Sequence, residues 1–213
     1  MDYPGILRIL GRSDAEVHSA LRSGSRVYGT ATPTSDEDFV VIFNAGLRSP
    51  SAASGARRDA ERDLVFRDGV NITTHGLESF RAAIASQSVF ALECLFLPPE
   101  HRLKDTKPAF PWKLDRVKLA ASATSRSESD WKKAGKQFAE EPVPSKKKLF
   151  HSLRVPMFAL QIARGGRIGD YGEANALFRE IQGIASDDWE DFRSVYEPLR
   201  ARLCAALEAL ASR

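Results

Sequence analysis

The stretch from Ser23 to Phe43 reads SGSRVYGTATPTSDEDFVVIF, and its three parts come in a meaningful order. Gly24-Ser25 is a turn where a missing side chain lets the backbone approach a ligand, with successive N–H groups and a hydroxyl able to hold phosphate oxygens. Arg26 adds a fixed positive charge beside it. Gly29 then limits the segment after the turn, and Thr30 to Thr34 carry the chain to the next element. Asp36 and Asp38 stand two residues apart at the entrance of a strand, so their side chains point to one face and Glu37 to the other. Two adjacent carboxylates repel unless a cation lies between them, and hard oxygen ligands on a rigid strand suit Mg²⁺, whose coordination waters and substrate phosphates complete. The strand itself is Phe39-Val40-Val41-Ile42-Phe43, an almost unbroken apolar run ended by Asn44-Ala45-Gly46, which marks an interior strand.

Working outward, Ser13-Asp14-Ala15-Glu16 fits a capping box, and Val17 to Ser23 reads either as the helix it would open or as a strand entering the glycine turn. Residues 47 to 60, rich in Ser, Ala, Arg and Gly, look like a surface loop. Asp63 to Arg67 and Val70 to His75 flank Asp68-Gly69, the signature of a β-hairpin. Helical spacing returns at Leu77 to Ile84 and Val89 to Leu97, with Pro98-Pro99 stopping the second helix. Lys104 to Trp112 reads as a linker. Beyond it, helices are expected over 113–139, 146–164, 173–183 and 187–211, with Pro156 and Pro198 as kinks. The expectation is an α+β chain: a small mixed sheet with helices over 1–103, then an all-α module over 113–213.

The 213 residues carry a net charge of only +3, but unevenly. Residues 1 to 100 hold ten arginines against thirteen acids, while the window 104 to 154 holds all ten lysines and, with three arginines, thirteen basic residues against six acids. Phosphate is the natural partner of such a window, a solvated helical face its ordinary alternative. There is no run of about 18 apolar residues for a membrane helix. Met1-Asp2-Tyr3-Pro4 lacks the basic start and long apolar stretch of a signal peptide, so none is expected. Two cysteines, Cys94 and Cys204, fit neither a disulfide scaffold nor a zinc site, so a reducing cytoplasm is expected.

Gly24-Ser25, a glycine-bearing spacer and Asp36-x-Asp38 at a strand start together resemble the signature of the DNA polymerase β-type nucleotidyltransferase superfamily. Gly24-Ser25-Arg26-Val27-Tyr28-Gly29-Thr30 followed by Ser35-Asp36-x-Asp38 is similar, more narrowly, to a branch of predicted bacterial and phage nucleotidyltransferases sometimes linked to RNA repair. Looser similarity runs through Leu77 to Phe80, Ala91 to Phe96, Lys148 to Arg154 and Gly166 to Tyr171. The resemblance implies a nucleotidyltransferase core with Gly24, Ser25 and Arg26 at a nucleoside triphosphate such as ATP. It implies Asp36 and Asp38 on Mg²⁺, or Mn²⁺ in its place, and NMP transfer to a hydroxyl with release of pyrophosphate. The acceptor would be an RNA or DNA 3′ end, or a protein or small molecule.

The family usually adds a third carboxylate from a later strand, at a position matching Asn71 here. An amide can coordinate a metal but carries no charge and takes up no proton. Asp63 or Asp68 would be its substitutes, and His75, on the same strand face as Asn71 and Thr73, a candidate base. Should none serve, the chain would be a degenerate nucleotide-binding or regulatory module. A third reading is an RNA-binding protein that uses only the lysine-rich window. In the helical half, Lys147, His151 and Arg154 form a polar stripe at i, i+4 and i+7 that could meet phosphate. Lys136, with Trp131-Lys132-Lys133, is a second basic cluster for nucleotide or nucleic acid. Tyr171 is a candidate for stacking on a base, with plugging its own loop as the alternative. The stripe from Trp189 to Leu210 reads as core.

Overall fold

The computed structural model describes residues 1–45, 62–105 and 110–212; the loop expected over 47–60 lies outside them. The chain is α+β, with a five-stranded mixed sheet and, among the described residues, eight α-helices. It divides into two compact units, one of residues 1–85 and 90–112, the other of 86–89 and 113–213.

The first unit opens with α1 (Tyr3–Leu10), capped by the Asp2 carboxylate, which accepts from Gly5 N at 2.9 Å, and closed by Gly11 at φ 60°. Of the two readings of the next segment, the strand holds and the helix does not. A short 3₁₀ turn (Asp14–Glu16) carries the capping box, with Ser13 N donating to Glu16 Oε2 at 2.8 Å, and β1 (Val17–Ser23) follows at once. After the turn come α2 (Ser25–Tyr28), β2 (Glu37–Phe43), β3 (Arg62–Arg67), β4 (Val70–Gly76), α3 (Leu77–Ala85), α4 (Val89–Leu95) and β5 (Arg102–Asp105). Lys104 and Asp105, expected to open a linker, instead pair with Ala20 and Ser19 as an edge strand.

Strand order is β3-β4-β2-β1-β5; β2 and β4 run parallel and every other pair antiparallel. Central β2 is covered on both faces, which explains its unbroken apolar run: Phe39 to Phe43 are all buried. Phe39, Val41, Phe43, Val70 and Ile72 pack on one face with Ile6 and Leu10 of α1. On the opposite face, the ring of His75 meets Phe80 of α3 and Phe90 of α4, at 5.7 and 5.6 Å between centroids. Each buried aliphatic or aromatic side chain contributes roughly 1.5–3 kcal/mol.

The second unit is helical: α5 (Arg116–Gln137), α6 (Pro142–Gly165), α7 (Asn175–Gly183) and α8 (Trp189–Ala211). Trp131, Phe138, Leu149, Leu153, Phe192 and Tyr196 lead its core, as the apolar stripe of the last helix requires. α6 and α8 both continue through their internal prolines, Pro156 and Pro198. No helix among the described residues is long and apolar enough to cross a membrane.

Candidate active site

The site is built where β1 ends and β2 begins. Gly24 stands at φ 72°, ψ −156°, a conformation that only glycine adopts freely, and it turns β1 into the single helical turn of α2. A side-chain carbon added there would lie 2.7 Å from the carboxyl carbon of Asp38 and nearer still to its Oδ2. The glycine thus lets backbone and carboxylate lie in contact. Gly29, also left-handed, closes the turn, and Arg26 Nη2 donates to the Ser35 carbonyl at 3.0 Å, tying the turn to the residue before Asp36. Below them, Tyr28 donates its buried hydroxyl to Glu93 Oε2 at 2.6 Å, an anchor that sequence reading missed. Its only trace in the sequence is the apolar pair Val27-Tyr28 directly behind the polar turn.

Asp36 and Asp38 share a face as their spacing requires, while Glu37 lies on the other side, 3.9 Å from Arg22 Nη2. Asn71 is the register partner of Asp38 on β4, and its amide Nδ2 donates to Asp38 Oδ1 at 3.1 Å and to Asp36 Oδ2 at 3.4 Å. That amide partly offsets the repulsion between the two acids. The hairpin turn supports the same corner: Asp68 and Gly69, at φ 51° and 73°, form its two left-handed positions, and Glu37 N donates to the Gly69 carbonyl at 2.9 Å.

The side chains of the suggested substitutes for a third carboxylate do not converge with Asp36 and Asp38. Asp63 pairs with Thr74, so the pleat turns it toward the face opposite Asn71. Asp68 is 90% exposed and lies 3.6 Å from Arg67 Nε. His75 follows Asn71 by four residues on one strand face and is buried among phenylalanine rings. Among the described residues no set of three His, Cys, Asp or Glu side chains converges as metal ligands. Two carboxylates, a side-chain amide and a backbone turn with no Cβ in the way fit one Mg²⁺ or Mn²⁺ ion, an oxygen-loving cation that keeps open positions for water and phosphate. To serve as a ligand, Asn71 would present its oxygen in place of its NH₂.

The remaining candidates belong to the second unit. Lys136 on α5 and Lys147 on α6 are exposed. His151 and Arg154 meet, with Arg154 Nη2 3.4 Å from His151 Nδ1. Arg154 is no solvent-facing residue of an amphipathic stripe. It is 5% exposed, and its guanidinium lies over the Phe158 ring at 4.9 Å. Burial, reinforced by Arg154, Arg126 and Lys147, pushes the His151 imidazole down to about 3, so it is neutral at pH 7. Arg126 is engaged with Asp130 at 2.6 Å. Tyr171 takes the packing alternative: its ring is buried and meets Phe158 edge-on at 5.6 Å.

No protein-family profile matches the chain, and no curated protein does. Among solved structures the chain is similar to a nucleotidyltransferase-like protein from Exiguobacterium sibiricum 255-15, with 14% identity, 93% of this chain and 70% of that one covered, and a TM-score of 0.32. The functional reading therefore rests on the corner formed by Gly24, Asp36, Asp38 and Asn71.

Proposed function

We propose that the chain is a Mg²⁺-dependent nucleotidyltransferase of the polymerase β type that moves an NMP from a nucleoside triphosphate to a hydroxyl acceptor and works in a reducing cytoplasm. The observation that carries the reading is the close fit of the Gly24 backbone against the Asp38 carboxylate, with Asp36 held beside it through Asn71. Backbone N–H groups at Gly24-Ser25 and the Arg26 guanidinium receive the phosphates, and Asp36 and Asp38 hold the cation that pairs with them. The bound ion would neutralise phosphate charge and polarise the α-phosphate. The acceptor oxygen forms a bond to the α-phosphorus as the bond to the bridging oxygen breaks. The electron pair leaves with pyrophosphate, and the acceptor proton passes to water, since Asn71 cannot take it. The chain's own contribution is positioning and charge compensation.

A second reading is a nucleotide-binding regulator that performs no transfer, and Asn71 favours it: the corner has two negative charges where three would hold a second ion. One experiment separates them. The protein is incubated with each labelled NTP, Mg²⁺ or Mn²⁺, and RNA, DNA or protein acceptors. Pyrophosphate release that disappears in Asp36→Ala and Asp38→Ala supports transfer; NTP binding with no product under any condition supports the regulator. Lys136 and Lys147 belong to the proposal as phosphate-binding groups of the helical unit, and His151, neutral at pH 7, only as a hydrogen-bond partner, tested by the affinity of their alanine variants for NTP.

A further inference from the structure

The register of the sheet sets four residues in one transverse row: Ser23 on β1 opposite Asp38 on β2, Asp38 beside Asn71 on β4, and Asn71 opposite Phe66 on β3. Strand spacing of about 4.8 Å makes the row about 14 Å long, and residues paired across strands point to one face. The next row of that face ends on Leu64, the partner of Thr73. Phe66 and Leu64 are 64% and 66% exposed, side by side on the edge strand of the sheet. Two large apolar groups at i and i+2 on an edge strand invite aggregation unless they serve a contact.

The row also has a direction. In an in-line displacement the entering hydroxyl and the departing pyrophosphate lie on opposite sides of the α-phosphorus. With phosphates received at Gly24-Ser25 and the cation at Asp38, the acceptor enters over β4 and β3. We propose that Phe66, with Leu64 beside it, is the acceptor platform, and that it stacks the terminal base of a single-stranded nucleic acid whose 3′ hydroxyl faces Asp38. This rests on the transfer reading above. A flat, exposed ring on an open sheet face is what base stacking uses, and it needs no particular base.

The test is binding, separate from catalysis. The affinity of the full chain is measured in Mg²⁺ for a ten-nucleotide single strand with a normal 3′ nucleotide and for the same strand ending in an abasic one. Wild type is expected to prefer the normal end by about tenfold. Phe66→Ala erases the preference, Phe66→Trp keeps it, and thermal melting confirms that both variants fold. In transfer assays Phe66→Ala raises the KM for the acceptor and leaves the KM for NTP unchanged. Equal affinity for the two ends in wild type, an unchanged preference in Phe66→Ala, or transfer to protein acceptors alone overturns the platform. A base preference that depends on Phe66 with no transfer under any condition upholds the platform and defeats the transfer reading instead.

Discussion

The acid pair Asp36–Asp38 in the first unit and the basic group around His151 in the second both bring like charges together, and the two are handled in opposite ways. The acids stay at the rim of the sheet, where water screens them and one neutral amide donates to both. The basic group goes inward: Arg154 is buried on an aromatic ring, and His151 gives up its proton. An accessible pair of full charges keeps a standing demand for a counter-ion, as a ligand site does. A buried group that resolves its repulsion by neutralising one member reads first as structure. The contrast makes the acid corner the better candidate for chemistry.

The largest effect should come from removing a charge at that corner. Asp38→Ala is expected to lower transfer by at least about 100-fold, the scale of losing one charge-stabilising group. It should also abolish any Mg²⁺-dependent rise in melting temperature; a variant that keeps both breaks the contrast. Gly24→Ala should follow. The added carbon collides with the Asp38 carboxylate and φ is unfavourable for alanine, so a stability loss of about 1–3 kcal/mol is expected in denaturant unfolding, with transfer lost as well.

Asn71→Asp sharpens the comparison. A third carboxylate raises the repulsion that the amide now relieves, so the metal-free protein should melt lower, while Mg²⁺ affinity rises by about tenfold in calorimetry. Unchanged melting and affinity would mean that the amide plays no part in holding the pair.

The smallest effect on transfer belongs to the basic group, where the expected change is in stability. The His151 pKa is about 3 in the folded chain and about 6.5 unfolded, so between those values the unfolded state binds the extra proton. Stability contributed by the neutral ring is complete above pH 6.5 and falls with pH by up to about 1.4 kcal/mol per pH unit down to about 3. His151→Gln should flatten that slope in unfolding measured from pH 7 to 4. An unchanged slope would assign the acid sensitivity elsewhere.

Much of the fold was legible because its signals are local. Phe39 to Phe43 can only be an interior strand, Asp68-Gly69 needs two left-handed positions, and the helical spacing after residue 113 has no other use. The strand at Arg102–Asp105 was hidden, since an edge strand of four mixed residues has neither an apolar run nor a clean alternation. At the site, the common face of Asp36 and Asp38 follows from a period of two. The consecutive Leu64-Val65-Phe66 has no alternation, so its exposed side follows only from the register that pairs Leu64 with Thr73 and Phe66 with Asn71.

From the residues alone came the order of turn, spacer, acid pair and strand, the hairpin, and the division into a sheet half and a helical half. Tertiary structure decided that Asn71 donates to both acids, that Asp63 faces away from them, that Phe66 ends the row of Asp38, and that Arg154 is buried. The physical reason is that backbone period and turn chemistry act over a few residues. Register and burial are settled by strands and helices paired across dozens of positions, where a shift of one residue turns every side chain to the other face.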